Sequence, residues 1–80
     1  MNFCCGDLIE YAQALTLVCR GSIVSYDEEM IKKEVFIIID FQSYATSRRK
    51  NHLCILFHKN SFYSATIDFK HCKLLHKVYS

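Results

Sequence analysis

Eighty residues that are 51% hydrophobic, 14% aromatic and 22% charged make one domain, too apolar for disorder and too short for two cores. A chain of this size buries only roughly 60 to 65% of the surface its unfolded form exposes, so this one carries more apolar surface than its core can hide, which points to a partner. A net charge of +2, with its basic residues spread through the second half, excludes strong phosphate tracking, and no apolar run nears the roughly 20 residues that span a bilayer.

Cys4 and Cys5 open the chain; acylation of this pair would need a second anchoring signal, and no basic cluster accompanies it. Asp7 then stands where an N-cap belongs, and Gly21 where a helix stops. Between them Glu10, Gln13, Thr16 and Arg20 recur every three or four residues as a narrow polar stripe on an otherwise apolar surface. The spacing predicts a helix over residues 7–20 with one face on the core and one on another protein. Leu8, Tyr11, Leu15 and Val18 are the partner-binding candidates on it.

Ser25 and Glu28 have capping-box spacing, which predicts a short second helix over residues 26–33. From Val35 the apolar period changes to two. Val35, Ile37, Ile39 and Phe41 share one face of a strand, and Phe36, Ile38, Asp40 and Gln42 share the other. Residues 43–51 read as a polar loop holding Arg48, Arg49 and Lys50. His52 to Phe69 reads as a hairpin centred on Asn60, which would pair Phe57 with Tyr63 and turn Leu53, Ile55 and Phe57 to the core. A last strand over residues 74–79 closes an antiparallel sheet spanning residues 35–79. As an edge strand it offers Leu74, His76 and Val78 to another chain. The expected fold class is therefore α+β: an N-terminal helix or helices packed on a small, strongly bent antiparallel sheet.

Three chemistries were weighed against these elements. A metal site would draw on His52, Cys54, His58, Cys72 and His76, but no pair has zinc-knuckle spacing, and strand ligands four residues apart sit roughly 13 Å apart. No metal or other cofactor is expected, and His52 is expected to pair with Asp68 across the hairpin. No glycine-rich turn presents a nucleophile, and Asp40 lacks the second carboxylate of a two-metal nuclease, so no enzyme activity is expected. Arg48, Arg49 and Lys50 carry the alternative of RNA contact through phosphates. Five cysteines, an odd number, suit reduced thiols and an intracellular protein of cytoplasm or nucleus.

The segment Met30-Ile-Lys-Lys-Glu-Val-Phe-Ile-Ile-Ile-Asp40 resembles the start of an Sm or Sm-like domain, where a helix leads into the first strand, and His52 to Phe69 resembles that family's second and third strands. The resemblance covers about half the chain. His52 stands where the family usually has Gly, the Asp and Asn of its first motif have no clear place near Lys59 to Phe62, and the Arg-Gly of the second motif has no counterpart. The family's RNA-binding residues are therefore not carried over. What the resemblance implies is a partly open barrel acting as a non-enzymatic scaffold or adaptor, like the small Gemin subunits of the SMN complex, in a hetero-oligomer that assembles spliceosomal particles. An orphan interaction module, for example a viral one, has the same profile.

Overall fold

The computed structural model describes residues 3–43 and 51–77. Their seven strands form one antiparallel sheet: β1 (Leu8–Tyr11), β2 (Leu15–Cys19), β3 (Ser22–Tyr26), β4 (Phe36–Ser43), β5 (Asn51–His58), β6 (Ser61–Asp68) and β7 (Cys72–His76). The order across the sheet is β3-β2-β6-β5-β4-β1-β7. One helical turn, α1 (Glu28–Ile31), lies between β3 and β4, and a 3-10 turn, Phe69–His71, lies between β6 and β7.

The helix expected over residues 7–20 is β1 and β2, so this is not an N-terminal helix packed on a sheet. In each half of that stretch the burial alternates: Ile9 and Tyr11 point inward from β1, and Leu15 and Leu17 from β2. The inward residues keep one parity throughout, but polar Gln13 stands among them while Leu8, Ala12, Ala14 and Val18 are apolar at the outward parity, which is why the run imitates a helix that is apolar nearly all round. Gly21 ends no helix. With Arg20 it forms a two-residue turn, both at positive φ (47° and 84°), between β2 and β3. The helix expected over residues 26–33 is four residues long, and its N-cap is Asp27, not Ser25: Asp27 Oδ1 accepts the Glu29 N–H at 3.0 Å and the Met30 N–H at 2.8 Å. Its Ile31 is fully buried, so α1 plugs one end of the core.

β4, β5 and β6 form a meander whose two edges are taken by one stretch of chain. β1 pairs with β4 and β2 pairs with β6. Tyr11 and Leu15 are four Cα steps apart and can be separated by at most about 14 Å. In a flat sheet β1 and β2 would lie four strand spacings apart, about 19 Å. The sheet must roll up, and the extents of 29 × 27 × 24 Å are those of a rolled body, not a slab.

The roll encloses Ile9, Leu17, Ile31, Phe36, Ile38, Leu56 and Ile67, none more than 1% exposed. A register shift between Ile38 and Asp40 changes the inward parity of β4, from Phe36 and Ile38 to Phe41, which packs against Phe69 at 5.4 Å. The β5–β6 hairpin turns on Lys59 and Asn60, both at positive φ (47° and 64°), and pairs Phe57 with Phe62 and Leu56 with Tyr63. The expected hairpin, centred on Asn60 with Phe57 opposite Tyr63, is thus out of register by one residue. That slip reverses the faces: Cys54, Leu56 and His58 are buried, while Leu53 and Ile55 are exposed.

Among the described residues one carboxylate is sealed completely from solvent. Asp7 is fully buried, and its Oδ2 accepts the Cys4 N–H at 2.8 Å and pairs with Lys77 Nζ at 3.1 Å. The turn it closes, from Cys4 to Asp7, sits beside β4 through the Ile38 N–H donating to Asp7 O at 3.0 Å.

The β2–β3 turn separates conformational strain from packing, because a Cβ at Gly21 would meet nothing within 4 Å. Gly21→Ala is expected to cost about 1 kcal/mol through backbone strain alone, and Arg20→Asn to add about 0.5–1 kcal/mol, since Asn adopts positive φ more easily. Chemical denaturation of both variants checks the signs.

Candidate interaction face

Strand pairing places side chains in rows across the outside of the rolled sheet. Ile23, Val18, Ser64, Ile55 and Asp40 are successive partners across β3, β2, β6, β5 and β4. A second row holds Phe62, Phe57, Ile37 and Leu8, and a third Thr66, Leu53 and Gln42. Among these twelve residues only Asp40 is charged, and it stands at the margin with its carboxylate on the Phe41 N–H at 2.9 Å. Ile23 is 67% exposed and Phe62 57%; Phe62 packs only sideways on Phe57, ring to ring at 5.1 Å. With Val18, Ile39, Leu53 and Ile55 they present on the order of 500 Å² of apolar surface, near the top of what a monomer ordinarily shows.

The face is not smooth. β2 and β6 share one bridging pair, Val18 with Ser64, whereas β5 and β6 share eight. A concavity of about 420 Å³ lies over the small side chains Ser64 and Thr66 of β6, with Ala14, Thr16 and Val18 on one side and Leu53 on the other; Leu15 and Ala65 also line it, although both belong to the core face.

A polar cluster closes the far end of the roll. His58 Nδ1–H donates to Val35 O at 2.9 Å, and Nε2 lies 3.0 Å from both Tyr26 Oη and Glu34 Oε1. Lys59 Nζ reaches the same Glu34 oxygen at 3.1 Å. The lysine hydrogen bond holds the Glu34 carboxyl below its ordinary value and raises the Lys59 ammonium, while burial raises the Tyr26 hydroxyl. A cavity of about 300 Å³ adjoins the cluster, but both signs of charge line it, with Glu29 and Glu34 against Lys33 and Lys59. The cluster joins β3, the residues after α1 and the β5–β6 turn, and its geometry is that of a clasp.

The other candidates scatter. Of the partner-binding residues, Val18 and Leu8 lie in the outer rows, Tyr11 and Leu15 are buried, Leu74 is half-buried against the core, and His76 is exposed on β7. Val78 lies outside the described residues, as do Arg48, Arg49 and Lys50. Tyr11 Oη accepts the Asp68 N–H at 3.0 Å. His52 packs on Phe69 at 4.7 Å instead of meeting Asp68, whose carboxylate takes the Lys70 N–H at 3.0 Å and Lys70 Nζ at 3.6 Å. Among the described residues no group of three or more His, Cys, Asp and Glu side chains is placed to hold a metal, and burial pushes the Cys54 and Cys72 thiols up to about 12. Ile23, Leu53, Ile55 and Phe62 are the outer-face residues that sequence reasoning missed; the length of the Lys59–Asn60 turn is the signal that would have turned Leu53 and Ile55 outward.

Comparison with protein-family models, with curated proteins and with solved structures finds no match for this chain. Among the described residues no helix is long and apolar enough to cross a membrane.

The clasp gives the chain an acid limb with a defined sign. Because Glu34 is held below its ordinary value of 4.5, it stabilises the fold above that pH, and the contribution disappears as pH falls through the lower folded value. Glu34→Gln is expected to cost about 1 kcal/mol near pH 7 and close to nothing near pH 3, as read by urea unfolding at the two pH values.

Proposed function

We propose that this chain is a non-enzymatic protein-interaction module, a scaffold or adaptor that binds another protein through the outer face of its sheet. The observation that carries the reading is the continuity of the face: exposed Ile, Val, Leu and Phe side chains in register across β3, β2, β6, β5 and β4, with a single charge at the margin. A standard interface takes about 800 Å² from each partner, of which the apolar rows would form the centre. The sheet ends at β3 and β7, so further pairing is open to a partner at either edge. Five free thiols support a reducing compartment, cytoplasm or nucleus. Assembly of spliceosomal particles is a narrower version of this reading, and its support is the sequence pattern of Met30 to Asp40.

Ile23→Asp and Phe62→Asp test the face without touching the core, and each should change stability by less than about 0.5 kcal/mol. Tagged wild type purified from its native cells should retain a stoichiometric partner that both variants lose and Lys32→Glu, at the C-cap of α1, keeps. Retention of the partner by both face variants, or a wild type that elutes alone and as a monomer, overturns the proposal.

A further inference from the structure

We infer that the free edge of β3 pairs with the same edge of a second copy of this chain, antiparallel and about a two-fold axis at Val24. The inference goes beyond the reading above, uses a different surface and does not depend on it. β3 ends the sheet, and among the described residues its backbone makes no hydrogen bond outside the β2–β3 ladder. The two-residue turn at Arg20 and Gly21 makes Cys19 and Ser22 a hydrogen-bonded pair. Along β3 the main-chain groups of Ser22, Val24 and Tyr26 therefore serve β2, while the N–H and C=O of Ile23 and Ser25 point away from it. Val18 fixes the same phase: it stands opposite Ile23 and pairs on its other side with Ser64 of β6.

Charge, proline, a bulge or a covering segment ordinarily keeps such an edge from pairing with its own copies. At β7, Lys73, flanked by Lys70 and Lys77, does this, and the ladder with β1 shifts register between Leu8 and Ile9. β3 has none of these devices: it reads Ser-Ile-Val-Ser-Tyr, pairs with β2 without interruption, and exposes Ser22, Ile23 and Ser25. Its edge is also complementary to itself. With the two copies of Val24 opposite one another, Ile23 of each copy faces Ser25 of the other, and each such pair exchanges both of its N–H···O bonds. The same register brings the exposed Arg20 of one copy beside the acidic first turn of α1 in the other, where Glu28 is exposed, and symmetry repeats the contact. β7 of a second copy would instead bring its lysines to a strand that has no carboxylate to receive them.

Sedimentation of the full chain should show a monomer–dimer equilibrium with a Kd between about 10 µM and 1 mM, as suits a small interface, and the Ile23 and Ser25 amides should exchange more slowly as the dimer fills. Ser25→Pro removes an N–H that the monomer leaves to water, and an edge strand tolerates proline at such a position. It should abolish the dimer and keep the amide spectrum of a folded chain, whereas Ser25→Ala should keep the dimer. Arg20→Glu and Glu28→Arg should each weaken dimerisation at least about fivefold. An equimolar mixture of the two should recover it, because a dimer of one with the other has an opposite-charge pair at both contacts. A chain that stays monomeric to about 1 mM, a dimer unmoved by Ser25→Pro, or a mixture no tighter than either variant alone overturns the inference. Phe62→Asp, on β6, should keep the dimer while it loses the docked partner, so the two readings fail separately; a dimer lost in Phe62→Asp would place self-association on the outer face and overturn the pairing of β3.

Discussion

Three residues, Ala12 to Ala14, separate a strand that pairs with one edge of the β4–β5–β6 meander from a strand that pairs with the other. That short step is the constraint on which the rest depends. It brings the two edges within about 14 Å of chain, and the sheet rolls to meet it. Rolling gives an 80-residue chain an inside, and one helical turn carrying Ile31 suffices to plug its end. Without the step, β1 and β2 would lie on opposite margins of an open sheet with one face of the meander uncovered.

The polar groups hold the points where this roll meets its connections. Asp7 lies fully buried at the entry to β1, and its carboxylate ties the Cys4 turn to Lys77, just past β7. At the opposite reach of the chain order, Glu34 gathers His58, Lys59 and Tyr26, so the approach to β4 is fastened to the β5–β6 turn and to the end of β3. Burying a carboxylate is tolerable only with such partners. Each clasp joins segments far apart in sequence, and this is what short strands need when few of their contacts are local.

Legibility in the sequence followed the same physics. β4 and the β5–β6 hairpin were readable because β-branched and aromatic residues alternate there at period two, whereas the final strand, expected to begin at Leu74, begins at Cys72, where no such residue marks it. The stretch from Leu8 to Cys19 was not: polar Gln13 falls at the inward parity, apolar Leu8, Ala12, Ala14 and Val18 fall at the outward one, and the remaining polar residues recur at helical spacing. Register in the hairpin was illegible for a different reason. Alternation fixes register when one face is polar, but β5 carries Leu53, Ile55 and Phe57 on one side and Cys54 and Leu56 on the other. Only the turn decides between them, and a Lys–Asn pair at positive φ lacks the glycine that announces a two-residue turn. The outer face was hidden from sequence reasoning by its own apolarity.

Closure also sets the two partners of β2, which must reach β6 within three residues of leaving β1. Pairing is complete on the side that is free to adjust, where β3 follows β2 through five residue pairs from Leu15 to Cys19. On the constrained side it is reduced to Val18 and Ser64. The shared pair carries the outer row across the closure: Ile23, Val18, Ser64 and Ile55 stand side by side there, so the contact that closes the roll also joins the apolar side chains of β3 and β2 to those of β5.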